Sequence, residues 1–243
     1  MVLCLNGKVL ALRNDIGAVI RVEMNSTFTL LDCGAGKITK GSQGMLVDGT
    51  FRMYGGTITR NWGNSSRNEY AGGMYVSGTG KFYMYGGSIN NNNFTAGDPN
   101  APHISGVLVA TGGTIKLSRG ADISDNGTMD DIYLCNGVKI SIGEGGLTSD
   151  NRFYTRMQYS PAYGSGETVE LTYPTDTDVS RYFQGGGGSY CFINERPSDH
   201  VVLVTAGLGS GTTNLTAAVS PATLTLAQGT SGTLTMEAEA NSE

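Results

Sequence analysis

The octapeptide Phe51-Arg-Met-Tyr-Gly-Gly-Thr-Ile58 returns as Phe82-Tyr-Met-Tyr-Gly-Gly-Ser-Ile89, and this internal repetition constrains the fold more than any other feature. A short apolar strand precedes each copy, Gly44-Met-Leu-Val47 and Gly73-Met-Tyr-Val76, and recurs degenerately as Gly106-Val-Leu-Val109 and Asp131-Ile-Tyr-Leu134. The openings Gly44, Gly73, Gly106 and Asp131 follow one another at intervals of 29, 33 and 25 residues. Such spacing suits coils that share a core and differ in loop length. Ile20 and Val22 extend the series toward the N-terminus, after the strand fragments Leu3 to Gly7, Ala18 to Val22 and Phe28 to Gly34.

Side chains alternate along a strand, so Met45/Val47, Met74/Val76, Val107/Val109 and Ile132/Leu134 share one face. Phe51/Met53, Phe82/Met84, Ile115/Leu117 and Ile140/Ile142 do the same on a second strand. Both sets are expected to face inward. A single coil cannot bury its inner face, but stacked coils at about 4.8 Å make one continuous core of parallel strands. Gly55-Gly56 and Gly86-Gly87 mark sharp turns. An Asn follows each ladder Ile by three residues (Asn61, Asn92, Asn126), which predicts a stacked amide ladder along the axis. Composition agrees: 37 glycines and only 15% charged residues suit many strands joined by tight turns and leave little room for helix.

The resulting expectation is an all-β, right-handed single-stranded parallel β-helix (solenoid) over residues 1–147, with a β-rich C-terminal cap over 148–206. A Gly/Ser/Thr linker and a truncated two-strand segment occupy 207–243. The pattern GMYVSGTGKFYMYGGSINNN, the opening LCLNGKV with LLDCGAGKIT, and the ending DIYLCNGVKISI resemble the β-helix repeats of large surface proteins from gut Firmicutes. In outline these are similar to pectin-lyase-like repeats. The segment from Val219 to Glu237 resembles the first strands of a bacterial Ig-like domain. The resemblance implies an extracellular module, a monomeric part of a larger chain, of the kind that serves adhesins, stalks and polysaccharide enzymes alike.

A formal charge of −5 without a Lys/Arg run argues against nucleic acid and anionic membrane as partners, and an extracellular glycan or host surface protein fits better. No stretch approaches the length of a membrane span, and the N-terminus lacks the pattern of a signal peptide. Four cysteines without CxxC or His spacing point to no metal or other cofactor; buried free thiols are expected, while Cys4 and Cys33, 29 residues or about one coil apart, are spaced to approach each other.

The coils differ mostly after the Asn ladder, where the loops Asn61 to Ala71 and Asn91 to Ser105 are long. Leaving the same corner of consecutive coils, they are expected to lie side by side. They carry the candidate ligand-binding residues Trp62, Arg67, Tyr70, Phe94, Asp98, Asn100 and His103, the aromatic, amide and charged groups that sugar recognition uses. An outward stripe of Leu46, Tyr75, Leu108 and Tyr133, beside Tyr54, Tyr83 and Tyr85, is a second candidate surface. A lyase or hydrolase would instead draw on Asp122, Asp125, Asp130 and Asp131. No catalytic residue is assigned, because Asp is also the residue that turns favour.

Overall fold

The computed structural model describes residues 1–14, 16–64, 70–95, 104–127, 131–148, 153–158, 167–185, 191–206, 215–219 and 222–226. It is a parallel β-solenoid of about five turns. Three sheets run along its axis, with seven, six and five strands, and each full coil contributes one strand to each. One coil consists of Gln43–Val47, Thr50–Met53 and Thr57–Thr59; the next of Met74–Val76, Lys81–Met84 and Gly87–Asn90; the next of Val107–Val109, Thr114–Leu117 and Ala121–Ser124.

Register follows the sequence repeat residue by residue. Met74 pairs with Met45 and Val107, Phe82 with Phe51 and Ile115, and Ile89 with Ile58 and Ile123. Every one of these side chains is fully buried. Like sits on like, so the rings of Phe28, Phe51 and Phe82 form a column with centroids 5.7 and 5.5 Å apart. Offset stacking of this kind adds about 0.5–1.5 kcal/mol per pair beyond the area buried.

The glycine pairs act where the chain leaves the six-stranded sheet. Gly56 and Gly87 have φ of 83° and 92°, a region that side chains resist, and a Cβ on Gly87 would fall 2.7 Å from the Gly56 carbonyl oxygen. Coil-to-coil stacking therefore needs glycine there.

The parallel stack runs past the expected boundary at residue 147. Phe153–Met157 pairs with Ile132–Leu134, and Phe183–Gly185 pairs with Phe153–Met157, so both belong to the seven-stranded sheet. Their inward slots hold Phe153, Thr155 and Met157, then Phe183 and Gly185, so aromatic, polar and glycine positions interrupt the aliphatic ladder that the earlier coils display. The β-rich cap is an antiparallel sheet of Thr168–Glu170, Cys191–Arg196 and Val201–Ala206. Leu171, Val202 and Val204 belong to the main core, and the main chain of Leu171 and Thr172 meets Ile140 of the solenoid. Leu215–Val219 and Ala222–Leu226 form an antiparallel pair.

Two expectations change. Cys4 and Cys33 are exposed and Cys135 is half-buried, so these thiols are not core residues. The outward stripe is also not open along its length: Leu108 and Tyr133 are buried in a second apolar cluster with Ala71 and Ile104, outside the solenoid wall.

Candidate functional site

The Asn ladder forms and fixes one corner of the solenoid. Asn61 Nδ2 donates to Asn92 Oδ1 at 3.0 Å, Asn92 Nδ2 to Asn126 Oδ1 at 3.1 Å, and Asn126 Nδ2 to Asp131 Oδ1 at 3.0 Å. Each of these acceptor oxygens also takes the main-chain N–H of the preceding ladder residue. Asp131 ends the chain of amides, since a carboxylate accepts and has nothing to pass on. Its other oxygen takes the N–H of Tyr154, and burial pushes its carboxyl above the usual range.

To aim an Asn inward, the residue before it must turn sharply. Lys40, Arg60, Asn91 and Asp125 occupy the same left-handed region, at φ of 59°, 55°, 51° and 52°. Their backbones are stitched together, with Arg60 N–H donating to Asn91 O and Asn91 N–H to Asp125 O. All four side chains are exposed in a column about 4.8 Å per step. Asn and Asp tolerate this backbone conformation; Lys and Arg gain nothing from it. A cation kept at such a position is a surface choice.

Beyond the corner the two long loops start as a pair of strands. Trp62–Asn64 lies parallel to Asn93–Thr95, with Trp62 beside Asn93 and Phe94 beside Gly63. The loops close as neighbours too, at the bridge between Ala71 and Ile104. Trp62 is 59% exposed, and its indole N–H donates to the Thr95 hydroxyl, which fixes the ring edge and leaves a face to solvent. A groove of about 290 Å³ runs beside it, lined by Arg60, Trp62, Asn91, Asn93, Asp125 and Gly127 together with the ladder amides Asn61 and Asn92. Side chains diminish along the column from Trp62 to Asn93 to Gly127, and that taper opens the groove.

The residues singled out from sequence separate into three groups. Trp62 lines the groove. Tyr70 does not: its ring stacks on Tyr75 at 4.6 Å over the seven-stranded sheet. Phe94 is buried, and its ring edge lies 2.5 Å from where a Cβ on Gly63 would stand, so it packs the two coils together. Arg67, Asp98, Asn100 and His103 lie outside the described residues. Arg60, Asn91 and Asn93 were missed. The signal for the first two was available, because the residue before each ladder Asn is forced outward at the corner.

The four aspartates do not form one constellation. Asp122 accepts a hydrogen bond from Ser88, Asp131 is buried in the ladder, Asp125 faces the groove, and Asp130 lies outside the described residues. Among the described residues, no group of three or more His, Cys, Asp or Glu is placed to share a metal ion. Two larger grooves, of about 490 and 620 Å³, lie toward the cap. The first is a seam between the 134–139 turn and Thr168–Glu170, bounded by the Lys139–Glu170 ion pair; the second is walled largely by turn backbone at Gly143–Gly146 and Pro174–Thr177. Neither carries an exposed aromatic face of the kind at Trp62. Among the described residues, no helix is long and apolar enough to cross a membrane. No family model, curated protein or solved structure matches the chain, and its likeness to a parallel β-helix is one of geometry alone.

Proposed function

We propose that the chain is a non-catalytic extracellular module that binds glycan at the corner groove, with Trp62 as its platform. The observation that carries this reading is the exposed indole, held by Thr95 beside Arg60, Asn91, Asn93 and Asp125. A sugar ring offers one apolar face and a rim of hydroxyls. Trp62 supplies the matching aromatic face, Arg60 and the amides donate to hydroxyl oxygens, and the Asp125 carboxylate accepts from hydroxyl protons. The column places Arg60 and Asp125 two steps apart, roughly 9–10 Å, with Asn91 between them. That span suits one or two sugar rings.

The groove is shallow, so affinity should be nearer millimolar than nanomolar, roughly −4 to −6 kcal/mol. The likeness of the repeats to pectin-lyase-like and surface-protein repeats supports an extracellular setting, where such a site serves adhesion. A glycan array tests the reading. Binding to a defined set of saccharides that Trp62→Ala removes is the expected result; an array without hits, or hits indifferent to Trp62→Ala, would overturn it. Release of reducing ends or unsaturated products from a bound polymer would point to an enzyme built around Asp125.

A further inference from the structure

Val2–Cys4 pairs with Thr27–Leu31 so that Cys4 lies beside Leu31, and Cys33 follows at the corner where the chain leaves the six-stranded sheet. Two tight turns meet at this point. Asn6 and Gly7, at φ of 47° and 72°, turn the first coil, and Gly34 to Gly36 turn the second. A Cβ on Gly34 would stand 3.1 Å from Gly7 Cα, so the two backbones touch. Asp32 clasps them, its Oδ1 accepting the Gly7 N–H at 2.9 Å and its Oδ2 the Gly36 N–H at 2.8 Å. Those hydrogen bonds hold the carboxyl below its usual range. Inside the clasp the Sγ atoms of Cys4 and Cys33 are 3.8 Å apart, and both residues are exposed.

We propose that Cys4 and Cys33 are a redox site whose disulfide staples the first coil onto the second, made by exchange with a small-molecule disulfide. One cysteine thiolate attacks a sulfur of the reagent, forms a mixed disulfide and expels one small thiolate. The second cysteine thiolate then attacks the protein sulfur of that mixed disulfide and expels the other. Two protein thiols are oxidised, one reagent disulfide is reduced to two thiols, and the cysteine protons pass through solvent to the leaving thiolates. Closing the sulfurs from 3.8 Å to the bonded distance of about 2 Å needs only side-chain rotation and a small shift of two turns already in contact. The Cys4 thiol beside it pushes Cys33 above the usual thiol range, so exchange should quicken as pH rises.

Position gives the bond its consequence. A solenoid is held coil to coil, and this bond would tie two neighbouring coils covalently. Met1, Val2 and Val9 are exposed in the first of these coils, and thinly covered strands of this kind exchange their amides through local opening. Cys135 is set apart: it packs beside the outer apolar cluster, and burial pushes its thiol up, so it should exchange slowly.

The test treats the protein with oxidised glutathione at mildly alkaline pH and compares it with protein kept in a phosphine reductant, by intact mass, peptide mapping and hydrogen exchange. The expected product has lost two hydrogens, yields a Cys4–Cys33 cross-linked peptide, and exchanges amides of residues 2–11 about tenfold more slowly or better. Cys4→Ser and Cys33→Ser should each stop at a glutathione adduct with unchanged exchange. Stable glutathione adducts on the unsubstituted protein, a bond joining other cysteines, or a Cys4–Cys33 bond that leaves exchange of the first coil unaltered would each overturn the proposal. It stands apart from glycan binding, which no arm of this experiment reads.

Discussion

The side chain of Asn92 serves three coils at once: its Oδ1 takes the main-chain and side-chain N–H of Asn61, while its Nδ2 reaches Ile58 O and Asn126 Oδ1. Asn92→Ala removes these bonds and leaves the Asn61 N–H buried without an acceptor, an expected loss of about 2–4 kcal/mol, measured by urea denaturation. Asp131 at the end of the ladder has the opposite pH signature from the surface carboxylates. Its native pKa is raised from 3.8 by burial, so between 3.8 and the native value the folded state holds a proton that the unfolded chain has lost. Its contribution to stability therefore grows as pH falls through that window. Asp32, Asp178 and Asp199 are lowered by hydrogen bonds, the latter two with help from nearby cations, and their contribution disappears as pH falls below 3.8. The difference in melting temperature between the unsubstituted protein and Asp131→Asn should accordingly shift in favour of the former on acidification from pH 7 toward 4, and a flat difference would deny the raised pKa. The ladder was legible in the sequence because three Asn follow three Ile at one spacing. Its terminator was not, because Asp131 comes only five residues after Asn126 and breaks that spacing.

At the scale of strands, burial of identical side chains at identical registers carries the fold. Phe51 sits between Phe28 and Phe82, and Phe51→Ala should cost about 3–5 kcal/mol, seen as a shift in denaturation midpoint, since both neighbours lose a stacking partner. Met84→Asp should abolish cooperative folding, because the carboxylate would enter a fully buried slot. These registers were readable because successive coils reuse the same residues. The last two parallel strands were not: Thr155 and Gly185 interrupt inward slots that Phe153, Met157 and Phe183 otherwise fill, and with the apolar ladder broken Phe153–Met157 reads like any cap strand. Likewise Leu108 and Tyr133 alternate as outward residues should, and only the return of the long loops at Ala71 and Ile104 explains why they are covered.

On the scale of the whole molecule, the repeat supplies a rigid frame, and the variable corner of that frame supplies the site. Sequence located Trp62 and the paired loops, since loop length departs from the repeat there. It missed Arg60 and Asn91 in the groove floor, because they look like ordinary turn residues until coils are stacked, and it raised Asp125 only in company with the other aspartates. Arg60 separates the two roles of this column. Arg60→Gly suits its φ of 55° and should leave stability level or raise it by up to about 1 kcal/mol, while weakening saccharide binding severalfold. Trp62 is the only tryptophan in the chain, so its emission reports the site without interference. The most direct measurement is a titration of that emission with an oligosaccharide selected on the array, beside a melting curve of Trp62→Ala. A saturable change in emission at millimolar concentration, with Trp62→Ala folded within about 1 kcal/mol of the unsubstituted protein, is the expected result; emission unmoved by a saccharide that the protein binds, or a Trp62→Ala protein that unfolds, would contradict a glycan platform at this corner.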